Sequence, residues 1–236
     1  MVKETEETFV GTRVSEEDLA SMDDRNHKER ILECAKELFH KYGIRSISMD
    51  DIAHHLGISK KTIYQHFSDK DDIITLAMHQ ATSEKKNILL GLRKQAADSV
   101  DMMIKIHQYI HTNFDTATAS LVFELQKYHA DAWKIIQEFK YGFLAEFIKE
   151  DLQLGIDQGY FREDINADII AKIRMEEVTM ASNDQIFPKH RFNHHEVSNS
   201  ILEHFIQGIV TERGKKLYEK YRNVLEQNVV NKTNEA

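Results

Sequence analysis

Apolar residues recur along the chain at helical spacing. From Ile31 to Tyr42 they stand three or four positions apart and form one stripe, which Gly43 ends as a C-cap residue. The same spacing predicts a long helix from about Lys70 to Lys94. The remaining predicted helices cover roughly residues 98–113, 116–129, 131–157, 166–182 and 196–211. With one Pro and nine Gly in 236 residues, the chain is predicted to be all-α.

The segment before the first predicted helix has a different character. Residues 1–23 are acidic and show no apolar periodicity. They are therefore expected to form a disordered tail with no function of its own. The first helix is predicted to begin near Asp24.

The stretch from Met49 to Ser68 contains two short amphipathic helices joined by one tight turn. Ala53, Gly57 and Ile63 have the spacing of a DNA-binding helix-turn-helix. The small Ala allows the helices to approach closely, and Gly accepts a left-handed turn without a Cβ penalty. Ile63 is expected to pack the inner face of the second helix onto the first.

The ends of these two helices carry their own signals. Ser48 with Asp51 three positions later is typical of a capping box, and Ser59 is expected to cap the second helix. The outer face of that second helix carries side chains that contact phosphates or base edges in DNA complexes. They are Lys60, Lys61, Thr62, Tyr64, Gln65 and His66. His54 and His55, on the outer side of the first helix, are expected to make no base contact.

The net charge of −8 seems unfavourable for a protein that binds DNA, but its distribution changes that picture. Residues 1–24 hold two basic and eight acidic side chains, a net charge of −6. Residues 25–70 hold nine Lys and Arg against six Asp and Glu, a net charge of +3, and the rest of the chain carries −5. A locally basic module within an acidic chain is able to bind phosphates.

Other classes of protein are disfavoured by what the sequence lacks. Cys34 is the only cysteine, so no intrachain disulfide forms, and its place on the apolar stripe indicates a buried side chain. The N-terminus has no apolar signal segment, and no run reaches the roughly 18 apolar residues of a membrane span. A cytoplasmic protein without membrane contact is expected. No nucleophile, base and acid form a recognisable constellation, so neither enzymatic activity nor a cofactor is expected.

Three alternative interpretations compete with DNA binding or add to it. A ferritin-like metalloenzyme needs two Glu-x-x-His motifs, and only Glu37 to His40 fits, with its Glu facing away from the apolar stripe. A helical adaptor would use the motif as a packing unit alone. A histidine cluster beside Pro188 is the one metal-like feature, but Pro favours a loop, so no metal site is expected. The cluster consists of His190, His194 and His195.

Two segments, ERILECAKELFHKYG and SMDDIAHHLGISKKTIYQHFSDKDDII, match a known pattern. Its most specific parts are the Tyr-x-x-Phe formed by Tyr64 and Phe67 and the Asp-Lys-Asp that begins at Asp69. On these features, residues 28–80 resemble the TetR family of bacterial transcriptional regulators. The resemblance implies an N-terminal three-helix DNA-binding domain over residues 24–84, with its motif at 49–68. A larger helical domain for effector binding and dimerisation is expected over residues 85–236.

Roles for individual residues follow from this resemblance and from the chemistry of DNA. Tyr64 is expected to form a hydrogen bond with a backbone phosphate. Lys70, at the start of the fourth helix, is expected to bind another phosphate, and Ser48 is a further candidate for such a contact. Lys60 and Lys61 suit guanine O6 and N7 or phosphates. Gln65 suits adenine, and the methyl group of Thr62 suits thymine.

The resemblance also implies partners. A homodimer is expected to read a palindromic operator whose half-sites are about one DNA turn, roughly 34 Å, apart. Segments Gly159 to Ala171 and Phe205 to Gly214 resemble the helices that form the dimer interface in relatives. The favoured interpretation is a repressor that a small-molecule effector releases from its operator. The alternative is a DNA-binding regulator without a small-molecule effector. Candidate pocket residues are Met103, His107, His111, Phe114, Tyr128, Trp133, Phe143 and Arg174.

Overall fold

The computed structural model describes the backbone of residues 16–112, 117–181 and 183–234. Side chains are described over residues 26–110, 121–181 and 183–223, and at Thr112. Residues 1–15 of the predicted tail lie outside the described part of the chain.

Helices make up the described part of the chain, which confirms the all-α prediction. Within it no strand occurs, and an isolated antiparallel bridge joins Phe161 and Val210. A π-helical segment, Glu138–Leu144, connects α7 to α8. The α-helices are α1 (Glu16–Tyr42), α2 (Met49–Leu56), α3 (Lys60–His66), α4 (Lys70–Gln95), α5 (Ser99–Thr112), α6 (Ala117–Tyr128), α7 (Ala130–Gln137), α8 (Ala145–Asp157), α9 (Ala167–Ala181), α10 (His194–Ile209) and α11 (Glu212–Asn234).

The chain divides into two compact units, and α4 begins in the first and ends in the second. The first unit ends at Ile73 and the second begins at Ile74. In the first unit, α1, α2 and α3 pack against one another around fully buried apolar side chains. The largest of these are Ile31, Ile44, Ile52, Ile63, Phe67 and Ile73. Cys34 is buried among them, as predicted, and burial followed by the nearby Glu37 carboxylate raises the pKa of its thiol.

Helix α1 starts earlier than the sequence predicted. It begins at Glu16 rather than near Asp24. Charged residues dominate this first part, so apolar periodicity gave no signal for the additional turns. Its end is as predicted, because Gly43 takes a φ of 83° and its N–H donates to the Phe39 carbonyl.

The second unit has two separate buried clusters. The larger one gathers side chains from α5, α8, α9, α10 and α11 around Ile104, Leu152, Phe161 and Phe205. The smaller one is centred on Leu89, Met102 and Phe147.

The predicted helix over residues 131–157 is interrupted by the π-helical segment. Phe139, Phe143 and Phe147 lie along one side of it, with ring centroids 5.7 and 5.5 Å apart. A π turn takes one more residue than an α turn. Gly142 lies in the middle of the segment without contact to a side chain, so the wider turn meets no steric obstacle there.

Helix α11 begins just beyond the last helix that the sequence predicted, which ends near residue 211. Among its described side chains, Tyr218 belongs to the larger cluster, and Leu217 and Tyr221 pack against that cluster. Hydroxyl groups supplement this packing. Tyr218 donates to Glu203 Oε2 at 2.7 Å, and Tyr221 donates to Asp98 Oδ2 at 2.6 Å.

One corner of the second unit joins the two segments that resembled interface helices. The Arg162 N–H donates to the Ile209 carbonyl at 2.8 Å, and the Thr211 N–H donates to the Tyr160 carbonyl at 2.9 Å. Gly214 packs so closely here that a Cβ would lie 2.0 Å from the Tyr160 carbonyl oxygen. Only glycine fits at this position. The corner therefore holds the start of α11 against the segment that follows α8.

Asp151 is a buried carboxyl group on α8 with 6% of its surface exposed. It accepts no hydrogen bond from any described residue. Burial raises its pKa from 3.8 to about 7; Arg93 opposes this rise and Asp98 adds to it. The folded chain therefore retains a proton that the unfolded chain releases near pH 4.

We predict that Asp151→Asn removes part of the pH dependence of folding. Because the folded pKa is raised, the parent loses stability as pH rises from about 4 to about 7 and then levels off. The variant should be more stable by a few kcal/mol above pH 7, since one pKa unit is worth about 1.4 kcal/mol. Urea unfolding at several pH values measures the difference. Asp157→Asn, an exposed change on the same helix, is the control, and equal pH profiles for Asp151→Asn and the parent would contradict the assignment.

Candidate nucleic-acid interface

The two helices of the motif are capped by their own flanking residues. The Asp51 N–H donates to Ser48 Oγ at 3.2 Å, and the Ser48 N–H donates to Asp51 Oδ2 at 2.7 Å. This confirms the predicted capping box. The two hydrogen bonds from Ser48 hold the pKa of Asp51 below its ordinary value, and His54 and Lys70 lower it further. Gly57 ends α2 with a φ of 67°, the left-handed conformation that the sequence predicted.

Helix α3 is short, and two buried side chains fix its rotation. Ser59 Oγ accepts the Thr62 N–H at 3.1 Å and caps the helix. Ile63 and Phe67 are at most 2% exposed and face the interior. The outer face of α3, by which we mean its four exposed side chains, therefore points into solvent. These side chains are Lys60, Lys61, Tyr64 and Gln65.

Two of the predicted DNA-contacting residues are only half-buried and already have partners in the chain. The hydroxyl groups of Thr62 and Ser59 are 2.8 Å apart and share a hydrogen bond. The ring of His66 lies with its centroid 6.2 Å from that of His27 on α1. The side chains of Thr62 and His66 are therefore less accessible than the four exposed side chains of the outer face of α3.

The two lysines at the start of α3 differ in their surroundings. Lys60 Nζ lies 2.7 Å from Asp50 Oδ2, and this carboxylate raises the pKa of Lys60. Lys61 is exposed and has no ion pair with any described residue. Sequence reasoning did not single out Asp50, because its distance of ten positions from Lys60 matches no helical repeat.

Lys70 has a structural contact that the sequence did not reveal. Its Nζ donates to the Ile44 carbonyl at 2.5 Å and lies 5.8 Å from the centroid of the Phe39 ring. The same carbonyl also accepts the Ile47 N–H at 3.3 Å. Lys70 therefore ties the start of α4 to the connection between α1 and α2. Ser48 is likewise engaged, since its hydroxyl donates to Asp51 Oδ2 at 2.6 Å.

The predicted pocket residues of the second unit fall into separate places. Met103 belongs to the larger buried cluster, His107 Nε2 lies 2.8 Å from Asn199 Oδ1, and the Arg174 guanidinium lies 5.1 Å from the Phe205 ring centroid. These three thus approach α10.

The other pocket candidates do not join them. Phe143 packs against the smaller cluster, Tyr128 is 44% exposed and Trp133 is half-buried. Phe114 and the side chain of His111 lie outside the described residues.

A cleft of about 330 Å³ lies between α9, the loop over residues 183–193 and α10. None of the predicted pocket residues lines it. Its lining is Glu177, Met180, Phe187, Phe192, Glu196, Val197, Ser200, Ile201 and His204. The sequence signal for it was that α9 carries apolar residues on two sides, with Ile169 and Ile173 opposite the buried stripe.

The histidine cluster is divided between the loop and α10. His190 lies in the loop, as Pro188 led us to expect, and His194 and His195 lie in the first turn of α10. His194 Nδ1 is 3.1 Å from the Ala181 carbonyl oxygen. Among the side chains described, no three His, Cys, Asp or Glu residues are placed to hold a metal ion together.

Comparison with known proteins agrees with this geometry. Residues 31–76 match the domain described as "Bacterial regulatory proteins, tetR family". The uncharacterised HTH-type transcriptional regulator YvaF of Bacillus subtilis is 27% identical over 190 residues, which cover 78% of this chain and 96% of YvaF.

The chain therefore carries the DNA-binding domain of the TetR family of transcriptional regulators.

Solved structures share the fold of this chain at lower identity. A transcriptional regulator from Saccharomonospora viridis in complex with choline is 20% identical, with a TM-score of 0.71 over 80% of this chain and 100% of that one. FadR from Bacillus subtilis in complex with stearoyl-CoA is 19% identical, with a TM-score of 0.61 over 77% of this chain and 98% of FadR. The predicted architecture, an N-terminal helix-turn-helix domain followed by a larger helical domain, is confirmed.

The matched domain gives the motif its general role. TetR-family proteins are helix-turn-helix regulators of transcription that bind DNA, which is the class of protein that the sequence predicted. In the described part of the chain, every helix is too short or too polar to span a bilayer.

We predict that Lys70→Met lowers the stability of the first unit. The variant loses the charged hydrogen bond to the Ile44 carbonyl, which is worth about 1–3 kcal/mol. Urea unfolding monitored by circular dichroism measures the loss. Lys61→Met, on the exposed outer face of α3, should change the free energy of unfolding by less than about 0.5 kcal/mol. Equal stabilities for the two variants would argue against an anchoring role for Lys70.

Proposed function

We propose that this protein is a homodimeric, ligand-responsive repressor that binds a palindromic operator and is released by a small-molecule effector. The observation that carries the DNA-binding part is the orientation of α3. Burial of Ile63 and Phe67 leaves the basic and polar outer face of α3 free to enter a major groove.

Each exposed side chain of α3 has a role suited to its chemistry. Lys61 donates to a phosphate or to guanine O6 and N7, and Gln65 pairs with the edge of an adenine. Tyr64, which is 48% exposed, donates its hydroxyl to a backbone phosphate. Thr62 offers its methyl group to thymine, since its hydroxyl is shared with Ser59.

Three further residues lie at the margins of the proposed interface. His66 is expected to add a polar contact beside the outer face of α3. Ser48 and Lys70 supply a hydroxyl group and a positive charge near the starts of α2 and α4. Because both already have partners in the chain, we assign them supporting contacts with phosphates rather than base reading.

The proposed dimer interface is the outer side of α9 together with the adjoining loop and α10. Ile169, Ile173 and Ile186 are 54%, 45% and 49% exposed, although they are large and apolar. Ile201 on α10 lines the adjacent cleft. Exposed apolar residues grouped in this way are typical of an interface, and a two-fold axis would bury each surface against its copy.

The proposed effector site uses the side chains that converge on α10. Arg174 is buried with Glu177, whose Oε2 lies 3.4 Å from Arg174 Nη1, and the surrounding residues are apolar. Met103 and His107 approach from α5. Two proteins with the same fold have solved structures in complex with choline and with stearoyl-CoA. These complexes support a small molecule as the class of effector. An effector that shifts operator affinity a hundredfold would need a coupling free energy of about 2.7 kcal/mol.

We predict that Lys61→Gln weakens binding to duplex DNA. Loss of one phosphate contact in each subunit should reduce the slope of log affinity against log salt concentration by about 1.8 for the dimer, or about 0.9 per contact. A duplex selected from a random pool by the parent protein, titrated at several salt concentrations, provides the measurement. Lys94→Gln, an exposed change in the last turn of α4, is the control. An unchanged slope in Lys61→Gln would remove this residue from the interface.

We predict that Ile173→Glu dissociates the dimer. Two glutamates buried against an apolar surface are costly, whereas the isolated chain already exposes Ile173 to water. Sedimentation velocity should therefore give a dimer for the parent and a monomer with unchanged helicity for the variant. Leu154→Glu, at a residue 48% exposed on α8, is the matched control and should remain dimeric. A dimer in both variants would place the interface elsewhere.

A further inference from the structure

The ion pair between Asp50 and Lys60 connects the first turns of the two motif helices. Asp50 lies in the first turn of α2, and Lys60 is the first residue of α3. Their charged atoms, Oδ2 and Nζ, are 2.7 Å apart. Lys61, one position further on, has no such partner among the described residues. The two adjacent lysines look equivalent in the sequence, but only the charge of Lys60 is partly neutralised by a neighbouring carboxylate in the described part of the chain.

The pair is open to solvent at the surface where DNA is proposed to bind. The side chain of Lys60 is 45% exposed and that of Asp50 is 69% exposed. The hydrogen bond to Asp50 raises the pKa of Lys60, and Tyr64 on the next turn raises it further, so the ammonium group stays charged. A nucleic acid that reaches the start of α3 therefore meets both charges.

A paired lysine discriminates between neutral and charged acceptors. An ammonium group has three N–H donors, and Asp50 uses one of them. The other two remain able to donate to guanine O6 or N7, which are uncharged. A phosphate near the same ammonium is repelled by the Asp50 carboxylate, so much of its attraction is cancelled. The pair thus favours base edges over the phosphate backbone.

We propose that Asp50 is a specificity-determining residue, which acts through Lys60 to weaken binding to unrelated DNA more than binding to the operator. Phosphate contacts supply nearly all of the affinity for unrelated DNA. Weakening one of these contacts therefore lowers the affinity for unrelated DNA more than the affinity for the operator. Asp50 acts by positioning and partly neutralising Lys60 and needs no contact with DNA itself. The inference rests on the proposed role of α3 in DNA binding.

Asp50→Asn tests this role when two duplexes of equal length are compared. One is the duplex selected by the parent from a random pool, and the other has an unrelated sequence. We expect the variant to bind the unrelated duplex about two- to fivefold more tightly, the range expected for an exposed ion pair. Its salt slope should become steeper by about 0.9 per subunit, or about 1.8 for the dimer. Affinity for the selected duplex should rise less, so the ratio of the two affinities should fall.

A matched control separates the proposed role of Asp50 from the general effect of removing one negative charge. Glu37→Gln removes one exposed carboxylate from α1, and Glu37 has no ion pair with a described residue. It should leave the affinity ratio unchanged. In a Lys60→Gln background, Asp50→Asn should no longer alter the ratio, and Asp50→Glu should restore the parent ratio because it retains the carboxylate.

The inference is overturned if Asp50→Asn and Glu37→Gln change both affinities equally, or if the effect of Asp50→Asn persists without Lys60. Circular dichroism establishes that each variant is folded, and Asp50→Ser, which also suits a first helical turn, must reproduce the effect of Asp50→Asn. A parent that binds no duplex would instead refute the proposed function. If the parent binds DNA but Asp50→Asn leaves the ratio of the two affinities unaltered, only this inference is refuted.

Discussion

The burial of Ile63 and Phe67 is the constraint on which the proposed DNA interface depends. A helix of seven residues is not stable alone in water, so tertiary packing decides both whether α3 forms and how it is rotated. With these two side chains inside, Lys61, Tyr64 and Gln65 have only solvent to face. A polar residue in place of Ile63 would therefore change recognition without touching a single contact with DNA.

Charge serves different purposes in the two units. Residues 25–70, which contain the motif, carry an excess of basic side chains, and Asp50 reduces that excess at one point. In the second unit, carboxylates attach the charged helix α11, because the hydroxyl groups of Tyr218 and Tyr221 donate to Glu203 and Asp98. Burial of Tyr218 and its bond to Glu203 raise the pKa of the phenol, so this attachment persists at alkaline pH. Asp151 has no such donor among the described residues, and its raised pKa makes the stability of the second unit depend on pH.

Local signals were enough to predict the motif, whereas tertiary contacts were not predictable. The capping residues Ser48 and Ser59, the left-handed Gly57 and the buried Ile63 act within a few positions of one another, and each is as expected. The contact of Lys70 with the Ile44 carbonyl joins residues 26 positions apart, and no periodicity encodes it. Helical stripes show which side of a helix is buried but not which helix covers it. For this reason, the sequence predicted one pocket for residues that lie apart in the structure. Met103 belongs to the larger buried cluster, whereas Phe143 packs against the smaller one.

In the proposed dimer, the apolar residues on two sides of α9 would connect assembly with DNA recognition. Ala171 and Met175 are buried by the chain itself, whereas Ile169 and Ile173 on the opposite side need another surface to cover them. A single α3 offers only three or four side chains for base reading, which is too few to identify one site in a genome. The proposed dimer answers both needs, since burying the outer side of α9 also places two copies of α3 on one operator. Binding of the first α3 then raises the effective concentration of the second, so the free energy of dimerisation contributes to operator affinity. On this view, the exposed isoleucines of α9 contribute to DNA recognition, although they lie in the unit that does not contain the motif.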